Sequence, residues 1–511
     1  MAQQVKAAAV EWNPTAERLR ELTEKMPNSS VTEFGNVAVK ARVDSRSTRS
    51  TYLVEDSTNA TKQTITRAEF DRLAAAQDAY IAGSHMVVVD GYIGSDPAFR
   101  TRARLIMEAA NANVAGMQQQ LYYPPGNDYG PATWEPDTTV IYTPNLPAPG
   151  YPDDRVIVVD LNSNVTRVLN SDYFGESKKG GLRMWNNIVF NRGGLALHAG
   201  CKVIPVDGSP TTVLIVGLSG TGKTTTTFTT QLGSKPAQDD FVALMPGGRV
   251  YTTENGCFAK TFGLDPRYEP AIYYATTKPD AYLENVSVDA SGAVDFFDTS
   301  YTKNGRTTWP FSYVDPWPAD QVPPAEFLLI LNRNENIVPG VARLDRAPAA
   351  AYFMLGETTG TSAGGKDEEG KFLRVPGTNP FFPRDMADMG NRMLELLDSH
   401  ELKVFVLNTG RVGGGSENPE SKKVTIPYSS AIVQAIVEGT IEWVSDDDFG
   451  YEIASSLPGV ADIDILRPRG LYERTGRLHE YDTMVARLKR ERREYLASFA
   501  GLDEAIVKSI G

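Results

Sequence analysis

Two cysteines in 511 residues, Cys201 and Cys257, exclude a disulfide framework. A reducing compartment, the cytoplasm, is the predicted setting. Only four histidines occur, at 85, 198, 400 and 479, which leaves few candidates for a metal site or a proton relay. No window approaches the length of a membrane span, and the opening MAQQVKAAAVEWNPTAERL has one lysine and a short alanine run but no apolar signal core. No membrane association is expected. Positive charge is also short: 51 Lys and Arg against 64 Asp and Glu leave a net charge of -13. That balance argues against nucleic acid as a partner, although a local basic pocket for one small anion is compatible with it. No internal repeat or low-complexity tract is visible.

What is present is the balance of a soluble globular protein, with 41% hydrophobic and 23% charged residues. The length predicts two to three domains or one composite fold. The apolar spacing over residues 12–26 predicts a short helix ending near Pro27, and HMVVVDGYI (85–93) predicts a buried strand. RTRARLIMEAANANVAGMQQQL (100–121) reads as a helix. TVIYTP and DRVIVVDL read as the next strands, and the first 195 residues as an α/β domain. Beyond Gly194 the chain is strand-rich around LALHAGCKVIPV and TTVLIVG, then follows a strand, helix, strand order through EFLLILNRN, NRMLELLDSHE and LKVFVLNTG. DTMVARLKRERREYLASF near the C-terminus reads as a helix whose KRERR run is a solvated face.

The strand VLIV runs directly into GLSGTGKT, which fits the G-x-x-x-x-G-K-[ST] pattern over Gly217, Leu218, Ser219, Gly220, Thr221, Gly222, Lys223 and Thr224. Glycines at those spacings let successive N–H groups turn toward a phosphate, the lysine adds a point charge, and the threonine hydroxyl can meet a magnesium ion. The following TTTTFTT is a poor helix former, because β-branched side chains lose rotamer freedom there, so tertiary contacts must hold it. Asp239 and Asp240 follow within AQDDFVAL, and His198 precedes the loop strand in LALHAGCK. Two adjacent acids and a histidine near a triphosphate suggest more than one cation. SDYFGESKKGG (171–181) adds Tyr173, Lys178 and Lys179 among glycines and, taken alone, reads as a turn with a lysine pair.

Together these stretches resemble the ATP-type phosphoenolpyruvate carboxykinases. YFGESKKG, LALHAG, GLSGTGKTT, ENGCFAKT, EPAIY, LENVSVD, VARLD and VFVLNTG recur in that family's order across nearly the whole chain. The resemblance implies an α/β, two-lobed phosphoenolpyruvate-carboxykinase-like fold with a P-loop mononucleotide-binding domain. An N-terminal substrate-binding lobe would span 1–195 and a C-terminal nucleotide- and metal-binding lobe 196–511, with the site in the cleft between them. It implies ATP-dependent conversion of oxaloacetate to phosphoenolpyruvate, CO2 and ADP. By matching position, Lys179, His198 and Asp240 are similar to the ligands of a catalytic Mn2+, with Lys179 held as an uncharged amine, and Thr224 to the ligand of the nucleotide's Mg2+. Lys223 and Arg343 resemble the contacts to the migrating phosphoryl group, and Lys260, Glu269 and Thr225 resemble nucleotide-binding positions. Arg46 matches the arginine that binds the substrate carboxylate, and Tyr173 the tyrosine near the enolate or CO2. The Gly-rich stretch 357–372 is the expected lid.

Three stretches depart from the family pattern. SRSTRST (45–51) stands for Gly-Arg-Ser-Pro-Lys-Asp-Lys, FVAL follows the two aspartates in place of Glu-His-Gly-Trp, and AGCK follows the histidine in place of the usual Cys-Ser-Ala-Asn. These changes spare the nucleotide and metal residues and alter what supports them. Two alternatives therefore stay open: a diverged ATP- and Mn2+-dependent phosphotransferase acting on another small acid or a protein hydroxyl, and a non-catalytic nucleotide-binding sensor.

Overall fold

A computed structural model describes residues 5–56, 62–218, 220–359 and 371–510. Ser219 and most of the expected lid lie outside the described residues. The chain forms two compact units. The first takes residues up to 188 and 253–316, and the second takes 189–252 and most of the chain from 317 onward. A single cut at 195 thus misses one feature: the chain returns to the first unit for 253–316.

The first unit is built on an eight-stranded mixed sheet in the order Ala9–Trp12, His85–Ile93, Thr101–Glu108, Thr138–Thr143, Val165–Leu169, Val156–Asp160, Thr51–Val54, Thr64–Ile65. The valine run forms the predicted strand His85–Ile93, and Thr15 caps the predicted N-terminal helix Ala16–Glu24 by accepting from the N–H of Arg18. The stretch from 100 to 121 is not one helix. Its first half is the strand Thr101–Glu108, antiparallel to His85–Ile93, followed by a 3-10 turn at Ala109–Asn111 and the α-helix Ala112–Leu121. The reason is a cross-strand pair: Arg104 lies opposite Asp90 in the register, and the two fully buried side chains meet at 2.7 Å. An unpaired guanidinium could not be buried there, so this pairing decides the conformation over helix propensity.

A second sheet of this unit has the order Gly256–Lys260, Arg306–Pro310, Tyr282–Glu284, Val37–Val39, Ser29–Val31. Three of its five strands come from the returning segment. SDYFGESKKGG is not a turn either: Phe174 opens an 18-residue helix, Phe174–Asn191, which carries both lysines.

The second unit centres on an eight-stranded sheet in the order Lys235–Gln238, Ala199–Val206, Ser209–Val216, Ala325–Asn332, Lys403–Asn408, Val341–Leu344, Glu452–Ser456, Glu442–Ser445. Both faces are buried. Leu214, Val216, Leu328 and Ile330 pack toward Ala349–Leu355 and Met393, while Val213, Ile215, Phe327 and Leu329 pack toward Ile432, Val433 and Ile436. Burial on both faces explains why VLIV, FLLIL and VFVL read as continuous apolar runs and not as alternating ones. The C-terminal helix Leu478–Ala497 lays Tyr481, Val485, Leu488, Arg492 and Leu496 on the core. The KRERR run is therefore not wholly solvated: Arg490 and Arg493 are exposed, but Arg492 is buried on Glu357 at 2.7 Å and donates to the Tyr352 hydroxyl at 3.0 Å. Arg374 also meets Glu357, at 3.1 Å. This cluster fixes the paired strands Glu357–Thr359 and Phe372–Arg374.

Candidate active site

In the second unit the strand Ser209–Val216 ends in the glycine loop, and a six-residue helix, Lys223–Phe228, follows. Gly220 and Gly222 adopt φ of +87° and +94°, values that side-chain-bearing residues avoid. A Cβ on Gly217 would stand 2.4 Å from the Thr221 hydroxyl, which donates to the Leu218 carbonyl at 2.7 Å. Thr409 donates to the Thr221 carbonyl at 2.7 Å and Arg333 to the Gly220 carbonyl at 3.0 Å. The loop carbonyls are thus engaged from behind.

Lys223, Asp240 and His198 converge. The buried Lys223 ammonium donates to Asp240 Oδ1 at 2.7 Å, and the same oxygen lies 2.9 Å from His198 Nε2. His198 Nδ1 is 2.7 Å from the Thr378 carbonyl, an acceptor only, so that nitrogen carries a proton. Phe241 and Phe381 flank the imidazole at centroid distances of 5.0 and 5.9 Å. Phe241, one of the residues replacing the family's Glu-His-Gly-Trp, thus serves to fix the ring. With Nδ1 protonated, a neutral imidazole turns its Nε2 lone pair on a carboxylate oxygen, an arrangement that is favourable only with a proton or cation between them. The pair therefore suits a divalent ion, and imidazole with carboxylate is a borderline donor set matching manganese. Among the described residues no group of three or more His, Cys, Asp and Glu side chains gathers as a metal site, so a third protein ligand would have to be of another type. Thr224 and Thr225 are half-buried in the first turn of the loop helix.

Arg343 is seated elsewhere in this unit. Its guanidinium bonds to Glu452 at 2.6 Å and stacks over Trp443 at 5.0 Å. The register places it opposite Phe405, whose neighbours across the sheet are Leu329 and Ile215. Three strand spacings, roughly 14 Å, separate it from the loop strand.

In the first unit, Arg46 lies on a segment whose backbone is held on either side of it, at residues 41–44 and at Ser47. Asp172 accepts from the N–H groups of Arg42 and Val43 at 2.9 and 3.0 Å, and Glu176 accepts from Ser47 at 2.6 Å. Asn285 accepts from Ala41 at 2.8 Å, and Asn304 donates to the Asp44 carbonyl at 2.6 Å. The segment can therefore dispense with the family's proline. Tyr173 is buried, and its hydroxyl accepts from Asn304 at 3.3 Å. Burial pushes its pKa up, with the nearby Arg306 opposing. On the helix Phe174–Asn191, Lys178 is buried against Glu254 at 3.0 Å, and Lys179 is half-buried next to it in sequence.

Arg306 was not singled out by the sequence. It is buried, donates to Asn304 at 2.8 Å and lies 5.2 Å above the Phe258 ring. In the sheet it is directly opposite Lys260 on one side and Glu284 on the other. Its only local signal is an arginine opening the short β-branched run RTTW. Glu284 accepts from the Phe174 N–H at 2.7 Å, and burial pushes its pKa up to about 8, aided by Asp172 and opposed by Arg306. Lys260 is half-buried, 5.9 Å from the Phe262 ring centroid, and Glu269 is half-buried just before the helix Pro270–Thr276. Ser219 is outside the described residues.

The profile of a family described as phosphoenolpyruvate carboxykinase matches residues 8–462. The chain is similar to the phosphoenolpyruvate carboxykinase (ATP) of Aeropyrum pernix, 32% identical over 96% of this chain and 95% of that one. A protein of the same name from Geobacillus kaustophilus is 30% identical over 96% and 94%. Phosphoenolpyruvate carboxykinase (ATP) 1 of Moorella thermoacetica is 29% identical over 88% and 84%.

Proposed function

The chain belongs to the phosphoenolpyruvate carboxykinase family, and from that premise we propose that it decarboxylates oxaloacetate and phosphorylates the resulting enolate with ATP. The products are phosphoenolpyruvate, CO2 and ADP. The observation that carries this reading is the likeness to ATP-type enzymes over nearly the full length of both chains.

The loop 217–224 binds the triphosphate through its backbone N–H groups, with Lys223 as the point charge beside the terminal phosphoryl group. Thr225, Lys260 and Glu269 are proposed to complete the nucleotide contacts. Arg46 is proposed to bind the carboxylate that is retained in the product, on a segment whose backbone is anchored at Arg42, Val43 and Ser47 on either side of it. Cleavage of the bond to the departing carboxylate leaves its electron pair on the methylene carbon as an enolate. The enolate oxygen attacks the γ-phosphorus in line, and ADP leaves. Tyr173 is proposed to face the enolate or CO2. Arg306 adds positive charge on the same side, since it shares Asn304 with Tyr173. Arg343 remains a candidate for the phosphoryl contact on resemblance alone, and its bond to Glu452 would have to be exchanged for it.

His198 and Asp240, with Lys179 as third donor, are proposed to hold Mn2+, and Thr224 the Mg2+ of the nucleotide. Bound there, such cations supply Lewis-acid stabilisation of the negative charge that develops on oxygen. The aromatic rings of Tyr173, Phe174 and Phe258, with centroids 5.0 and 6.4 Å apart where they meet Phe258, keep water from an enolate that would otherwise be protonated to pyruvate. The cytoplasm, where ATP and oxaloacetate are available, is the location this reading carries.

Oxaloacetate-dependent release of CO2 and ADP in a one-to-one ratio tests the proposal. ATP turnover that ignores oxaloacetate and follows another acceptor would replace it with a different phosphotransfer.

A further inference from the structure

The loop helix Lys223–Phe228 poses a physical problem. It is one and a half turns long, and four of its six residues are threonines. Such a segment does not hold itself, since nucleation is unfavourable and β-branched residues are costly in a helix. Its last carbonyls also need donors. The N–H of Thr229 serves the Thr225 carbonyl, which leaves those beyond it to be satisfied from outside.

Lys202 supplies that donor. It lies on the strand Ala199–Val206, opposite Val213 on the loop strand, and its side chain is fully buried. Its ammonium donates to the Thr226 carbonyl at 3.1 Å, to the Thr229 carbonyl at 2.5 Å, and to the side-chain oxygen of Gln231. All three partners are acceptors from this nitrogen, so three N–H bonds are required and the group is an ammonium. None of the three partners is a carboxylate. Burial alone pushes the pKa of this lysine down to about 7, so a full charge here is costly, and the compensation is the negative end of the helix dipole with the carbonyls that the ammonium bonds.

The rest of the strand repeats the logic. Gly200 and Lys202 fall two apart, the spacing of one strand face, and His198 stands just ahead of the strand. A Cβ at Gly200 would stand 2.0 Å from the Thr227 hydroxyl, so the glycine lets the loop helix lie directly on the strand. His198 meets Asp240, Gly200 seats the helix middle, and Lys202 closes its end. Lysine stands here where the family pattern quoted above has asparagine.

We infer that Lys202 is a positioning residue for the nucleotide: its ammonium holds the loop helix in register and thereby places Lys223 and Thr224 against the phosphates. The inference rests on the functional reading above only in taking the loop as an ATP site. The direct test is equilibrium binding of a fluorescent ATP analogue with Mg2+, in the absence of oxaloacetate, to the full-length wild type, Lys202→Met and Lys202→Arg. Loss of the ammonium is expected to weaken binding about tenfold and Lys202→Arg to keep it within about threefold, with the KM for oxaloacetate unchanged in both, because a bonded charge contributes at that scale. A general packing defect would not spare the carbon substrate or be rescued by arginine. Binding by Lys202→Met within twofold of wild type would overturn the inference. If Lys202→Met does not fold, Gln231→Leu removes one of the three acceptors, and an affinity equal to wild type would overturn it equally. A wild type that binds no ATP would overturn the functional reading, and this inference with it.

Discussion

At the scale of the residue, Asp240 takes two contacts on one oxygen, since Lys223 and His198 both meet its Oδ1. Asp240→Asn removes the charge and keeps the shape. Metal-dependent turnover is expected to fall by about 100-fold or more, with ATP affinity much less affected. Steady-state kinetics alongside an ATP titration measure this, and undiminished turnover would remove Asp240 from the metal site. Glu284 carries a pH dependence. Its pKa is about 8 in the fold against 4.5 in the unfolded chain. Between those values the unfolded chain gives up a proton that the folded chain keeps, so this group lowers stability as pH rises from about 4.5 to about 8. Glu284→Gln retains an acceptor for the Phe174 N–H and abolishes the titration. Its stability relative to wild type should improve by on the order of a few kcal/mol between about pH 5 and pH 8, and denaturant unfolding at both pH values checks it. A second pair of substitutions separates two arginines. Arg306→Met should lower kcat/KM by about 100-fold or more, and Arg343→Ala by much less if Glu452 and Trp443 are its lasting partners. The reverse order would support the phosphoryl role for which Arg343 is a candidate.

The glycine loop and the meeting of His198 and Asp240 with Lys223 were legible in the sequence because each lies in or beside a short motif. Arg306 and Asn304 were not, because Arg306 is placed by strand pairing and Asn304 by side-chain bonds to distant residues. Asn304 reaches Tyr173 from 131 positions away, and no spacing rule reports such a meeting.

At the scale of the element, the same division holds. HMVVVDGYI and the apolar runs of the second unit could be read directly, since burial on both faces writes a continuous hydrophobic string. The strand Thr101–Glu108 could not, because it is decided by the Arg104–Asp90 pair, and two charged residues in a half-apolar run look like one face of a helix. The lysine motif was obscured by its glycines: Gly175, Gly180 and Gly181 suggest a turn, yet they lie within the helix Phe174–Asn191. A Cβ on Gly180 would stand 3.1 Å from Thr166, so packing against the sheet accounts for that position. The C-terminal helix gives a prediction of its own. Arg492→Met strands the buried Glu357 carboxylate, with Arg374 left beside it among the described residues, and should destabilise by about 3–5 kcal/mol. The double variant Glu357→Gln, Arg492→Met should cost less than that single change, and thermal or denaturant unfolding of the four proteins in the cycle measures the difference.

At the scale of the whole molecule, the chain leaves its first unit at residue 188 and returns to it for 253–316. A sequence read from one end to the other suggests consecutive domains, since nothing in composition marks a return. The physical consequence is that residues 1–195 lack the strands Gly256–Lys260, Tyr282–Glu284 and Arg306–Pro310 of the five-stranded sheet. Val37–Val39 would lose its partner strand Tyr282–Glu284, and the Arg46 segment would lose Asn285 and Asn304. That fragment is expected not to unfold cooperatively, which circular dichroism during denaturation would show. The family and the fold both follow from the full-length likeness, whereas the carbon substrate is the point on which the altered loop SRSTRST bears. The measurement that tests it most directly is phosphorus NMR of the purified protein with oxaloacetate, Mn2+ and Mg2+, comparing ATP, GTP and no nucleotide. The account predicts a phosphoenolpyruvate signal with ATP that is absent without nucleotide and weak or absent with GTP. ATP consumed with the phosphoryl group appearing on any other acceptor, or no phosphoenolpyruvate from a protein that binds ATP, would contradict it.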